Sequence, residues 1–192
     1  MPHVIVISGP NGAGKTTAAP TLLNETLQVS DFVNADTIAQ GLSAYAPENA
    51  AIQAGRTMLT RIRYLASQRE NFAFETTLAS RTFAPWLAKL KAEGYFFHLI
   101  FLRLEDADLA VSRVNERVRM GGHFVPEETV RRRYESGLKN FFMLYKKLAD
   151  SWQMYDNSKM GCCDLIASNM NNEIDVHKPE IWQKLVETYD KT

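Results

Sequence analysis

The stretch "VIVISGPNGAGKTTAAP", residues 4–20, decides the fold. Gly9, Gly12 and Gly14, with Lys15 and Thr16, fit the spacing GxxxxGK followed by Ser or Thr, in which main-chain N–H groups surround a phosphate. Glycines are required because side chains would block that close approach. Pro10, Asn11 and Ala13 fill the loop and Thr17 follows it. Val4 to Ile7 predict a short buried strand before the loop. Thr16 to Leu23 predict a helix after it, whose N-terminal dipole also favours an anion. Nucleotide binding is therefore expected over Gly9 to Thr17, with Lys15 on the β and γ phosphates and the Thr16 hydroxyl on a magnesium ion. A purely structural glycine turn is the alternative.

Working outward, 192 residues at 45% hydrophobic and 23% charged suffice for one substantial domain over 1–192 and exclude a fibre or a disordered chain. Lys plus Arg and Asp plus Glu stand at 22 each, so no global field collects nucleic acid or an anionic membrane. The N-terminus enters a strand without a charged leader and cleavage site, and no apolar run reaches the length of a membrane span. A cytoplasmic protein is expected. Cys162 and Cys163 are adjacent, a poor arrangement for a relaxed disulfide, and read as buried reduced thiols.

Further strands are expected at "DFVNAD", "NFAFETT" and "YFFHLIFLRL", with weaker ones at "WQMYDNS" and "CCDLIAS". Helical patterns lie between them. Pro47 can open one, with Ile52, Leu59, Ile62 and Leu65 approximating its apolar face. Pro126 begins another, whose stripe of Val130, Tyr134, Leu138, Phe141, Tyr145 and Leu148 reads as core. Pro179 precedes a last one carrying Ile181, Trp182, Leu185, Val186 and Tyr189. Strands alternating with helices predict an α/β fold, a mostly parallel sheet covered on both faces as a three-layer sandwich, with ligands beyond the carboxyl ends of the strands.

Those strand exits are polar: Asn34 and Asp36 follow the second strand, Glu75, Thr76 and Thr77 the third, and Asp156, Asn157 and Ser158 a later one. Carboxylates at neighbouring exits beside a triphosphate suit phosphoryl transfer, one accepting the proton of an attacking hydroxyl while another holds magnesium or the acceptor. The alternatives are a helix cap for Asp36 and an ion pair with an arginine for Glu75. The segment "SRVNERVRMGGHFVPEETVRRRYE" holds six arginines on two basic helical stretches joined by Gly121 and Gly122, and suggests a lid over about 113–133. Arg131, Arg132 and Arg133 point about 100° apart, so only some can face a nucleotide. Arg117 and Arg133 are the leading candidates for the transferred phosphoryl group, with Arg113 and Arg132 behind them. His123, inside the hinge, is assigned no chemistry.

The loop "GPNGAGKTT", the "NAD" after the second strand, "FETTLASRTF", "RVRMGGHFVP", "RRRYE" and "YDNS" together resemble the zeta toxin-like family of small P-loop kinases, over most of residues 3–170. The resemblance implies a nucleotide-kinase-like P-loop NTPase fold and ATP or GTP with Mg2+ as phosphoryl donor. It further implies Asp36 as base and a UDP-linked amino sugar such as UDP-N-acetylglucosamine as acceptor; Arg113 of the lid and Asn157 of the strand exit are expected at the nucleotide. An antitoxin is the protein partner it raises. Zeta toxins continue the third strand with Glu-x-Thr-x-Arg. Here Glu75 and Thr77 match, Ala79 stands at the arginine position, and Arg81 lies two residues later; with Asp36 and with Arg132 of the lid, Glu75, Thr77 and Arg81 are the expected acceptor contacts. Three function classes follow: a small-molecule kinase, a nucleotide hydrolase or switch, and a nucleic-acid end kinase, the last disfavoured by the neutral charge.

Overall fold

In a computed structural model describing residues 1–26, 29–122, 124–159, 163–170 and 173–190, the glycine loop joins the central strand of a seven-stranded sheet to a helix. That strand, β1 (His3–Ser8), is buried along Val4 to Ile7 because it has neighbours on both sides and helices over both faces. The chain then runs through α1 (Lys15–Thr26), β2 (Asp31–Val33), α2 (Ala35–Leu42), a 3₁₀ turn at Pro47–Ala50, α3 (Ala51–Ser67) and β3 (Phe72–Thr76). It continues with α4 (Phe83–Ala92), β4 (Phe96–Arg103), α5 (Ala107–Arg119) and α6 (Glu127–Asn140). A π-helical turn at Phe141–Tyr145 leads into α7 (Lys146–Leu148), followed by β5 (Ser151–Asp156), β6 (Asp164–Met170), β7 (Glu173–Val176) and α8 (Pro179–Tyr189).

The sheet order is β2-β3-β1-β4-β5-β6-β7, parallel from β2 to β5 and antiparallel across β5–β6 and β6–β7. This is the expected α/β sandwich of a P-loop kinase, and all five expected strands after β1 form. β7 is an addition. All four of its residues are exposed, so it carries no alternating or buried pattern.

The buried face of α3 is Ala54, Met58, Ile62 and Leu65, whereas Ile52 is 77% exposed and Leu59 lies at the surface. The expected stripe is therefore rotated toward smaller and more flexible residues. Along α6 and the π turn, Val130, Tyr134, Leu138, Phe141 and Tyr145 all enter the main core, as the stripe predicts, with Leu148 packed against it.

Val114, Val125 and Val130 also belong to that core, so both helical stretches of 113–133 are anchored in the body. Cys163 is exposed, not buried, because it sits at the start of β6 on the wall of a cavity. Cys162 and His123 lie outside the described residues. Among the described residues no helix is long and apolar enough to cross a membrane.

Candidate active site

The glycine loop is shaped by its neighbours. A Cβ at Gly9, where φ is +141°, would sit 2.2 Å from the Leu102 carbonyl oxygen, and one at Gly14, where φ is +76°, would sit 2.7 Å from Asn157 Nδ2. Asn157 in turn donates to the Ala13 carbonyl at 2.8 Å, tying the exit of β5 to the loop. Arg113 holds that exit from the other side, donating to the carbonyls of Asn157 (2.8 Å) and Ser158 (2.7 Å).

Lys15, 6% exposed, donates to the carbonyls of Gly9 (3.0 Å) and Pro10 (2.9 Å) and lies 3.5 Å from Glu75 Oε1. Burial pulls the Lys15 pKa below the ordinary lysine value, while the carboxylates of Glu75 and then Asp36 oppose that shift. The opposite oxygen of Glu75 accepts from the Thr16 hydroxyl at 2.8 Å and from Asn34 Nδ2 at 2.7 Å. Glu75 is therefore satisfied by Lys15, Thr16 and Asn34 and not by an arginine.

Asn34 caps α2. Its Oδ1 accepts from the backbone N–H groups of Asp36 (2.7 Å) and Thr37 (3.3 Å) while its amide reaches Glu75. The cap is thus Asn34, which leaves Asp36 exposed in the first turn of α2 with its side chain on the cleft. A cavity of about 400 Å³ opens there. It is lined by the glycine loop with Lys15, Thr16 and Thr17, by Asp36, Met58, Glu75, Thr77 and Phe83, and by Arg113, Arg117 and Arg133. Arg133 Nη1 donates to Asn11 Oδ1 at 3.2 Å, which sets its guanidinium over the loop. Burial lowers its pKa, with Asp36 working in the opposite direction. Gly122 lets the chain turn back over the Arg117 stem, where a Cβ would meet Arg117 Cγ at 2.5 Å.

Beyond Gly12 and Gly14 a second, more apolar cavity of about 580 Å³ continues, walled by Thr21, Leu22, Met120, Arg117 and Cys163. Its position and apolar lining suit the flat base of a nucleotide whose phosphates lie on the loop.

Two expected contacts are not brought to the cleft. Arg81 is exposed, and its Nε donates to Asn140 Oδ1 at 3.0 Å, on the far side of the β3–α4 turn. Arg132 points to solvent, since on α6 it is flanked by the buried side of Tyr134 and the cleft side of Arg133. The sequence reading also missed Asn140. This buried side chain donates to the carbonyls of Leu78 (2.9 Å) and Ala79 (3.1 Å), and Tyr145 Oη donates to that of Ser80 at 2.7 Å. Together they hold a turn in which Leu78, fully buried, adopts φ +59°. An asparagine at the end of a core helix stripe was the available signal.

Comparison with known proteins agrees with this geometry. The family model described as zeta toxin matches residues 1–162. An uncharacterized protein of Haemophilus influenzae is 28% identical over 130 residues, covering 68% of this chain and 91% of that protein. A chain of the AvrRxo1-ORF1:-ORF2 complex, solved with ATP, superposes with a TM-score of 0.76 at 16% identity over 96% of this chain, which spans only 63% of its length. The PezAT chromosomal toxin-antitoxin system of Streptococcus pneumoniae gives 0.66 at 14% identity, covering 99% of this chain and 85% of the other. A gluconokinase of Sinorhizobium meliloti gives 0.51 at 19%, covering 82% and 84%. At these identities the structures speak to the fold, which is that of P-loop kinases, and the family match rests on the sequence itself. The chain belongs to the zeta toxin family.

Proposed function

We propose that the protein is a magnesium-dependent kinase that moves the γ-phosphoryl group of ATP, or GTP, to a hydroxyl of a small molecule. The observation that carries this reading is that Thr16, Glu75 and Asn34 converge within hydrogen-bond distance at the end of the phosphate loop while Asp36 stands exposed in the same cleft. The AvrRxo1 complex solved with ATP supports the choice of donor.

The residues fit Mg2+: a threonine hydroxyl and a carboxylate oxygen 2.8 Å apart beside the loop are hard oxygen ligands, and phosphates and waters complete such a shell. Thr16 and Glu75 would hold the ion, which would supply positive charge to offset that of the phosphates. The chain's own residues do the rest. Loop amides and Lys15 hold the phosphates, and Arg117 and Arg133 meet the charge on the transferred group. Asp36 accepts the proton as the acceptor oxygen forms its bond to the γ-phosphorus and the bond from that phosphorus to the β–γ bridging oxygen breaks, releasing the nucleoside diphosphate. The finer acceptor carried by the family resemblance, UDP-N-acetylglucosamine, enters the same assay as one compound among several. An antitoxin belongs to this proposal as the protein partner, a toxin-antitoxin system being among the similar structures.

The test is to incubate the protein with γ-labelled ATP, magnesium and a metabolite extract, and to identify labelled products by mass spectrometry. A labelled organic phosphate that disappears with Lys15→Ala is the expected result. Release of inorganic phosphate alone, unchanged by any extract, would replace the kinase with a hydrolase.

A further inference from the structure

Resting on the kinase reading, we infer that Asn34 is a positioning residue of the transfer: its one amide holds the start of the helix that carries Asp36 in register with Thr16 and Glu75.

The place of Asn34 follows from the sheet. β2 and β3 run parallel with Val33 opposite Phe74, so the residues that follow them, Asn34 and Glu75, stand side by side at the carboxyl end. β1, on the other side of β3, delivers the phosphate loop and Thr16 to the same place. Asn34 is 6% exposed, and both ends of its amide are engaged. Oδ1 accepts from the backbone N–H groups of Asp36 (2.7 Å) and Thr37 (3.3 Å), while Nδ2 donates to Glu75 Oε2 (2.7 Å) and Thr16 Oγ1 (3.1 Å).

These partners permit one orientation only. Turned over, the amide would set its own N–H groups against two backbone N–H groups and its oxygen against a carboxylate. A helix cap alone is served about equally by Asn, Asp or Ser. Here the second task, donating to Glu75 and Thr16 from the far end of the same side chain, singles out the amide: a carboxylate has no proton to give, and a hydroxyl has one oxygen, which cannot stand in both places.

The helix that carries Asp36 depends on this hold. Its one buried residue, Ala39, belongs to a small cluster with Ala50 and Ala54 apart from the main core, which Ala35 and Ile38 only border. Asn34 starts the helix with three hydrogen bonds, the two at Oδ1 and one from the Ile38 N–H to its carbonyl at 3.1 Å. A shift of Asn34 therefore moves Asp36, two residues on, relative to Glu75 and Thr16. The spacing between the proton acceptor and the oxygens that would hold magnesium is what places an acceptor hydroxyl against the γ-phosphorus. One neutral side chain sets it.

Two variants separate this role from capping. Asn34→Ser keeps the cap and removes the amide; Asn34→Asp keeps the cap and the size, and turns the donor into a like charge against Glu75. Three readouts apply to both: thermal unfolding, kcat and KM with γ-labelled ATP and the acceptor identified in the extract, and Mn2+ binding followed by paramagnetic resonance with a non-hydrolysable ATP analogue. Asn34→Ser is expected to keep the parent's unfolding midpoint and to lose about tenfold to a hundredfold in kcat, the usual effect of removing a partner behind a metal-holding carboxylate. Its Mn2+ affinity should fall by about tenfold, with KM for ATP within about threefold of the parent's. Asn34→Asp should lose at least as much kcat. A kcat within about threefold of the parent's in both variants makes Asn34 an ordinary cap and overturns the inference while the kinase stands. A loss confined to KM also overturns it, because Asn34 would then contact a ligand itself. No labelled organic product from the parent protein removes the kinase reading, and this inference with it.

Discussion

Asp36→Asn separates chemistry from architecture at the cleft. The helix cap is supplied by Asn34, whose Oδ1 accepts from the backbone N–H groups at 36 and 37, and neither bond involves the Asp36 carboxylate. The exchange keeps side-chain size at an exposed position, so stability should change by less than about 0.5 kcal/mol. Removing the carboxylate deletes one of the two negative charges that oppose the burial shift of Lys15 and one that does so at Arg133. The cleft then becomes more positive, and ATP affinity should stay constant or tighten by up to about threefold, a few tenths of a kcal/mol for one partly solvated charge. Transfer to the acceptor, which loses its proton acceptor, should fall by about 10²- to 10⁴-fold. Thermal unfolding, equilibrium binding of a fluorescent ATP analogue and single-turnover transfer to the acceptor from the extract measure the three quantities separately. A loss in transfer below about tenfold refutes the base assignment. A weakened ATP affinity that added magnesium restores moves Asp36 into the ion's shell instead.

Arg133→Ala should lower kcat more than ATP affinity, because its guanidinium lies over the loop at Asn11, where charge builds on the transferred group; an affinity loss with constant kcat would place it on the ground-state nucleotide. Asn140→Ala strips hydrogen bonds from the carbonyls of Leu78 and Ala79 around a buried left-handed residue, and should cost about 2–4 kcal/mol in chemical denaturation; a change under about 1 kcal/mol would show the turn to be held by Tyr145 and by the Thr76 hydroxyl, which accepts from the Leu78 N–H at 3.2 Å. At the opposite end of the sheet, His98 is pushed down to about 4 by burial and then by His3, with Asp150 opposing. A depressed histidine pKa means that the unfolded chain binds the extra proton first, so this stability is present above about pH 6.5 and is lost as pH falls toward 4. About 2 kcal/mol, discounted for the ring's partial exposure, should disappear over that window, and His98→Gln should flatten the urea-midpoint profile.

What could be read from the sequence was whatever is local in the chain. The loop from Gly9 to Thr16 depends on backbone geometry that glycine alone permits, and its flanks are a run of β-branched residues and a helix start, so motif and element announce each other. The α6 stripe was legible for the same reason. Partner choice was not. Glu75 is satisfied by Lys15 and Asn34, which lie 60 and 41 positions away, and no spacing rule links residues that only a parallel sheet register brings together. The α3 face misled because apolar identity was taken for burial: Ile52 faces solvent in the first turn, while Ala54 and Met58, weaker as hydrophobic signals, face the core. Arg81 misled by proximity, being close in sequence to Glu75 and Thr77 yet captured by Asn140, 59 positions further on.

These distant contacts gather on one helix, which gives α6 a part that no motif reveals. Arg133, Gly137 and Asn140 follow one another at helical spacing along a single face, spanning about 10 Å. The first touches the donor loop at Asn11, the second packs so closely on Thr77 that a Cβ would lie 2.7 Å from its carbonyl oxygen, and the third holds the carbonyls of Leu78 and Ala79. Donor floor and acceptor turn are thereby attached to the same rod. The core stripe on the adjoining face, from Val130 to Leu138, fixes that rod to the sheet, so the arginine and the turn cannot shift independently. On the proposed kinase reading, an acceptor bound at Thr77 would also settle Arg133 over the loop at Asn11. In a transferase whose rival acceptor is water, that linkage favours transfer when the second substrate is in place, because the charge-stabilising group and the acceptor turn reach their working geometry together.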